Sequence, residues 1–115
     1  MYAKMSSDLL RGHTDTIVLS VLKSDDSYGY EICKSILEKT DNLFELKEAT
    51  LYSSFRRLEQ LGCISSYWGN ESCGGRRKYY RITDAGLKMR ERNIADWKFA
   101  NKILSNLFKE ELFDE

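Results

Sequence analysis

The apolar residues repeat at helical spacing in four segments, and a further segment is rich in aromatic and β-compatible residues. The first predicted helix follows the capping residues 6–8 and continues to Leu22. A second helix is predicted over residues 28–39, capped by Ser27, and a third from about residue 47 to residue 61. Gly62 then supplies the flexible residue that commonly ends a helix.

Residues 63–82 have a different texture, because aromatic and β-branched residues there surround a glycine-rich loop at residues 69–75. This pattern predicts a β-hairpin with a basic second strand. Thr83 and Asp84 can cap a last helix, which continues to about Phe108. Such a helix has about 24 residues and measures roughly 36 Å at 1.5 Å per residue.

The predicted order is helix, helix, helix, hairpin, helix. We therefore expect a mainly α (α+β) winged helix-turn-helix: residues 1–83 form the DNA-binding part, and residues 84–115 form a C-terminal dimerisation helix with an acidic tail. The two parts belong to one structural unit. The last helix has an apolar stripe that would be exposed in a monomer, so a two-fold homodimer is predicted. Its interface residues are Ile94, Trp97, Leu104, Leu107 and Phe108.

The 115 residues carry no net charge, but the charge is unevenly distributed. Residues 48–82 contain six basic and three acidic residues, or +3, whereas the segments before and after them are negative. The positive middle third coincides with the third helix and the hairpin, which favours a polyanionic partner. No apolar run approaches the length of about 18 residues that spans a membrane. We therefore expect a cytoplasmic location and do not expect a membrane partner.

The third helix has two chemically different faces. Leu51, Phe55 and Leu58 form a narrow apolar stripe, whereas Thr50, Ser53, Arg56 and Arg57 lie opposite it. A buried stripe backed by hydroxyl and guanidinium groups is typical of a helix in a DNA major groove. The alternative to DNA binding is that the arginines form a solvated helix face and that the charges of the hairpin protect an edge strand. The glycines before the basic strand favour DNA binding, because they let the backbone and the arginines approach a duplex closely.

No motif indicates an enzyme. Cys33, Cys63 and Cys73 are widely spaced and His13 is the only histidine, so we expect no metal site and no cofactor. If one thiol is reactive it should be Cys73, which lies beside glycines and arginines that would lower its pKa. A thiol-based redox regulator acting through Cys73 therefore remains an alternative, as does a winged-helix module that binds proteins.

Three segments together resemble the PadR family of winged-helix transcriptional regulators: YGYEI, LYSSFRRLEQLGCI and GGRRKYYRITDAG. The resemblance covers about residues 9–108. It implies a repressor, often of transporter or stress genes, that releases DNA when a small molecule binds. The chain is short, like the branch of the family that includes multidrug-sensing repressors. It departs from many members in having Ser53 where they have proline.

The resemblance and the helix face together predict the DNA contacts. They lie at the start of the second helix, along the third helix and on the wing: Tyr28, Tyr30, Thr50, Tyr52, Ser53, Arg56, Arg57, Arg76, Arg77 and Lys78. Tyr79, Tyr80 and Ile82 are instead expected in the core of the hairpin.

Trp97 lies near the middle of the last helix, where two copies could meet across a two-fold axis. Paired indoles can enclose a flat aromatic molecule, as the small branch of the family does at its dimer interface. The predicted ligand-binding residues are Trp97 and its expected neighbours Leu9, Asp15, Thr16, Asn93 and Asn101.

Overall fold

The computed structural model describes residues 10–70 and 75–109. After a 3-10 turn at Arg11–His13, the elements are α1 (Thr14–Ser24), α2 (Gly29–Lys39), α3 (Glu48–Gln60), β1 (Ile64–Asn70), β2 (Arg76–Ile82) and α4 (Asp84–Leu107). The predicted fold class is confirmed, since these described residues form four helices and one antiparallel hairpin. The capping residues 6–8 proposed for the first helix lie outside the described residues.

One apolar core joins the first three helices to the base of the hairpin. The largest fully buried side chains come from the inward faces of α1, α2 and α3: Phe55, Leu19, Leu22, Ile32, Leu51, Leu58 and Val18. The ring of Phe55 stacks on that of Tyr80, with 3.7 Å between centroids, and so joins α3 to β2. Gly62 ends α3 with a φ of 74°, a left-handed conformation that suits glycine, as predicted.

The hairpin, called the wing below, pairs β1 with β2 from Ile64 opposite Ile82 to Asn70 opposite Arg76. Because successive side chains in a strand point to opposite faces, the wing has two distinct faces. Tyr80 points toward α3, while Tyr79 points toward the start of α2 and contacts Tyr28.

The prediction that Ser27 caps α2 is wrong. Tyr28 occupies the capping position, without a side-chain capping bond. Ser27 is buried and pairs with Tyr80 through two backbone hydrogen bonds of 3.2 and 2.8 Å, as an isolated β-bridge. The backbone before α2 thus extends the wing's sheet, and this pairing fixes the wing to the helices.

Helix α4 begins at the predicted cap, where Thr83 Oγ1 accepts a hydrogen bond of 3.1 Å from the Gly86 backbone nitrogen. Gly86 is buried, and a Cβ there would collide with the Cys63 carbonyl oxygen and lie 2.7 Å from Ile82 Cγ1. Farther along, Arg90 donates to Ser20 on α1. The remaining half of α4 is largely exposed to solvent. No helix in the described part of the chain is both long and apolar enough to cross a membrane.

Candidate nucleic-acid interface

The outward face of α3 presents donors to solvent. Thr50 and Arg56 are exposed, and Ser53 is half-buried one turn from each. Arg56 Nη2 donates a hydrogen bond of 3.2 Å to Ser53 Oγ, which orients the guanidinium along the helix. This face therefore offers a hydroxyl and a positive charge side by side, the groups that read base edges and phosphates.

Tyr52 connects this face to α2. Its hydroxyl lies 2.7 Å from the position that a Cβ would take on Gly29, so a larger residue there would displace the Tyr52 hydroxyl. Its ring meets Phe55 edge-on, with 5.4 Å between centroids. Tyr52 is thus packed on one side and exposed on the other, and the start of α2 adjoins the predicted DNA surface.

The two tyrosines at the start of α2 differ. Tyr30 is 68% exposed, whereas Tyr28 is half-buried under the wing. The guanidinium carbon of Arg77 lies 4.1 Å from the centre of the Tyr28 ring, and Tyr79 meets the same ring edge-on at 5.3 Å. Of this pair, Tyr30 is placed to reach a partner, while Tyr28 supports Arg77.

The other basic residues of the wing also lie on aromatic rings. Arg76 Cζ lies 5.4 Å from the centre of Trp68, and Lys78 Nζ lies 5.7 Å from the centre of Tyr80. Cation–π attraction limits where these long side chains point without neutralising their charge. Of the predicted core residues, Tyr80 is buried and Ile82 packs against the core, whereas Tyr79 is only half-buried and packs on Tyr28.

Arg57 is held differently from Arg56. Its Nε and Nη2 donate hydrogen bonds of 2.9 and 2.6 Å to the two carboxylate oxygens of Asp15 on α1. The buried Ser54 hydroxyl donates a further bond of 2.6 Å to Asp15. Partial burial alone would raise the pKa of Asp15, but the bonds from Arg57 and Ser54 outweigh it and lower that pKa.

A second carboxylate fixes the base of the wing. Asp26, in the turn before α2, accepts a hydrogen bond of 2.6 Å from the Tyr67 hydroxyl and one of 3.2 Å from Arg81 Nε. The bond from Tyr67 lowers the pKa of Asp26, and Arg81 lowers it further. Sequence reasoning missed this cluster, because its members are up to 55 residues apart and no local pattern links them.

Residues 18–92, from the middle of α1 to the middle of α4, match the Transcriptional regulator PadR-like family. This chain belongs to the PadR-like family. Members are transcription regulators and not enzymes, so the prediction of a non-enzymatic DNA-binding regulator is confirmed at that level. PadR-like regulators bind DNA and commonly dimerise.

Two solved structures and one further protein sequence agree with this membership. A transcriptional regulator from Clostridium thermocellum is 50% identical, with a TM-score of 0.82 over 89% of this chain and 96% of that one. A PadR family transcription regulator from Clostridium difficile R20291 is 39% identical, with a TM-score of 0.71 over 84% and 97%. An uncharacterized protein from Lysinibacillus sphaericus is 45% identical over 92% of this chain and 96% of its own.

In this PadR-like chain, two open clefts flank Trp97, and both lie against α1 and α4, with the C-terminal end of α2 also lining the first. One measures about 330 Å³, and its lining includes Ile17, Ile94 and Trp97. The other measures about 470 Å³, and its lining includes Asn101 and Leu104. Thr16 and Asn93 line both, and Asn93 Nδ2 donates a hydrogen bond of 2.9 Å to Thr16 Oγ1.

The structure thus brings four of the predicted ligand-binding residues together: Thr16, Asn93, Trp97 and Asn101. Asp15 lies elsewhere. It precedes Thr16 on α1 but faces α3, and neither cleft includes it. Its carboxylate is instead satisfied by Arg57 and Ser54. Leu9 lies outside the described residues.

The apolar surface of α4 is wider than the predicted stripe. Trp97, Leu104 and Phe108 are exposed and follow one another at helical spacing, with the half-buried Ile94 before them. Leu107 lies about 80° around the helix from Trp97, at about 100° per residue. It continues a row with two residues that the sequence analysis omitted, Phe99 and Ile103, which are also exposed.

The described cysteines do not have the features of reactive thiols. Burial raises the pKa of Cys33, and the charges of Glu48 and Glu45 raise it further. Burial also raises the pKa of Cys63. Cys73 lies outside the described residues. Within residues 10–70 and 75–109, no group of three His, Cys, Asp or Glu side chains could hold a metal ion.

Proposed function

We propose that this PadR-like regulator is a homodimeric repressor that binds a roughly palindromic operator through α3 and the wing. A small planar aromatic molecule that binds beside Trp97 at the dimer interface releases the repressor from the operator, as in multidrug-sensing repressors. The observation that carries the DNA proposal is the exposed donor face of α3, with Arg56 oriented on Ser53. Three basic wing residues, Arg76, Arg77 and Lys78, are also exposed.

These positive groups have separate roles on DNA. Helix α3 enters the major groove, where Thr50, Ser53 and Arg56 meet base edges. The wing cations reach the flanking phosphates, which fix the register of the protein on the duplex. Arg57 contributes less than Arg56, because Asp15 already occupies two of its donors.

The dimer proposal rests on the exposed apolar surface of α4. Trp97 is 51% exposed, and Leu104 and Phe108 are similarly exposed along the same side of the helix. A monomer would leave this apolar surface in water, whereas a second copy would cover it at a two-fold axis. Such an axis also spaces the two copies of α3, as a palindromic operator requires.

The ligand proposal rests on the smaller Trp97 cleft, which is lined mainly by apolar groups with a few polar ones. An indole beside Ile17 and Ile94 favours a flat aromatic molecule, and Thr16 and Asn93 offer hydrogen bonds at one edge. A ligand wedged between α1 and α4 would shift both helices. Since α1 holds Arg57 through Asp15, that shift reaches α3.

A gel-shift titration against promoter fragments tests the operator proposal. The protein should prefer at least one fragment, such as that of its own gene or of a transporter gene, over random DNA of equal length. Binding should fall steeply with salt. If the protein prefers no fragment over random DNA, the operator proposal is contradicted. If a dimer shows no salt-sensitive binding to DNA, the protein-interaction alternative is favoured.

Fluorescence tests the ligand proposal. Trp68→Phe leaves Trp97 as the single tryptophan, because the chain has two. Planar aromatic dyes should quench the fluorescence of Trp97 in the dimer. The same dyes should weaken the binding of the dimer to the operator. A confirmed dimer whose Trp97 emission does not respond to such dyes would leave Trp97 as a packing residue only.

A further inference from the structure

Trp68 is a large apolar side chain in an unexpected place. It lies in β1 of the wing and is 58% exposed, although an indole is usually covered. It belongs to none of the DNA-contact, core or ligand positions predicted from the sequence. It lies directly opposite Lys78 in the register of the hairpin, so it stands within the most basic segment of the chain.

The alternation of the strands shows which way Trp68 points. Ser66, two residues earlier on the same face, donates a hydrogen bond of 2.9 Å to Glu59 of α3. Tyr80, which pairs with Ser66, stacks on Phe55 of the same helix. Trp68 is therefore on the α3 side of the wing, one pair nearer the tip.

The charges around Trp68 complement a polyanion. The Arg76 guanidinium lies over the indole, with Cζ 5.4 Å from the ring centre. Lys78 is exposed on the same face, and the Glu59 carboxylate accepts the hydrogen bond from Ser66. An exposed aromatic ring between two cations suits a partner with apolar faces beneath an anionic backbone.

We propose that Trp68 is a DNA-contacting residue whose indole packs against deoxyribose and base edges in the minor groove beside the major groove that α3 enters. Arg76 and Lys78 bind the adjacent phosphates. Apolar side chains often make such minor-groove contacts. The proposal rests on the proposed function, since it requires α3 and the wing to face DNA together.

Salt dependence separates an apolar contact from an ionic one. Trp68→Ala should weaken operator binding by roughly tenfold, a typical loss for an aromatic contact to nucleic acid. It should leave the slope of log K against log salt unchanged, because no charge is removed. The matched variant Lys78→Ala should make that slope shallower by about 1.8, or about 0.9 for each copy in the dimer. Trp68→Phe should retain most of the affinity.

Fluorine NMR of the unsubstituted protein labelled with 5-fluorotryptophan tests the contact directly, with the Trp68 resonance assigned from Trp68→Phe. Operator DNA should shift that resonance and suppress its H2O/D2O solvent isotope effect. The proposal is overturned if wild type binds the operator while Trp68 stays exposed and Trp68→Ala binds equally well. It is also overturned if Trp68 is already shielded in the DNA-free dimer. If wild type binds no duplex, the proposed function fails as well.

Discussion

Replacing Asp15 with asparagine separates the two effects of its ion pair with Arg57. The substitution keeps the shape of the side chain but removes its negative charge. The carboxylate accepts two hydrogen bonds from the Arg57 guanidinium and one from the Ser54 hydroxyl. We expect the variant to be less stable. We also expect it to bind DNA with a steeper salt dependence, because Arg57 becomes available to a phosphate.

The structure sets the size of both effects. The pair is bidentate, but the Arg57 side chain is 51% exposed and that of Asp15 is 23% exposed, so solvent screens much of the attraction. A loss of about 1 kcal/mol in the free energy of unfolding is therefore expected. If Arg57 of each copy in the dimer then neutralises one further phosphate, the slope of log K against log salt should steepen by about 1.8, or about 0.9 for each copy.

The effect on stability also depends on pH. Because folding lowers the pKa of Asp15, the folded chain binds its proton less readily than the unfolded chain. The contribution is therefore full above the ordinary aspartate pKa and is lost as pH falls below about 4, through the lowered pKa. The difference between wild type and Asp15→Asn should be present at neutral pH and should shrink in acid.

Urea unfolding at fixed protein concentration measures the stability, and fluorescence anisotropy with labelled operator at several salt concentrations measures the slope. Glu38→Gln is the matched control, since it removes one exposed carboxylate from α2. If Asp15→Asn has the stability and the salt slope of Glu38→Gln, then the ion pair does not restrain Arg57 and the reasoning is wrong.

Three further variants test other parts of the structure. Gly86→Ala should lower the free energy of unfolding by about 2–3 kcal/mol, because its Cβ meets the backbone before β1; Gly12→Ala, which meets nothing within 4 Å, is the control in the same urea experiment. Leu104→Glu should raise the dimer dissociation constant at least about tenfold in analytical ultracentrifugation, whereas Lys102→Glu on the same helix should not. Arg56→Ala should weaken operator binding by about 1–3 kcal/mol and reduce the preference for the operator over random DNA, and an equal loss on both DNAs would exclude Arg56 from the base contacts.

Local patterns predicted the elements well because their causes are local. The stripe of Leu51, Phe55 and Leu58 specifies α3, and Gly62 ends it by adopting a positive φ. Thr83 caps α4 through a residue three positions away. In each case the deciding contacts lie within about two turns of the chain.

The misses have long-range causes. Ser27 looked like a helix cap, but its backbone pairs with Tyr80, which only the folded chain brings near. Asp15 and Arg57 are 42 residues apart, and each looked solvent-facing or ligand-facing on its own helix. A helical wheel shows which face a residue shares, but it does not show which neighbouring element will supply a partner.

The central claim is that two copies of α3, with their wings, bind one operator. Hydroxyl-radical footprinting of the wild-type protein on a preferred promoter fragment tests it most directly. The account predicts two protected regions related by a dyad, with centres about one helical turn, or 10–10.5 base pairs, apart or a multiple of it. A saturated complex that protects a single region, or none, would contradict it.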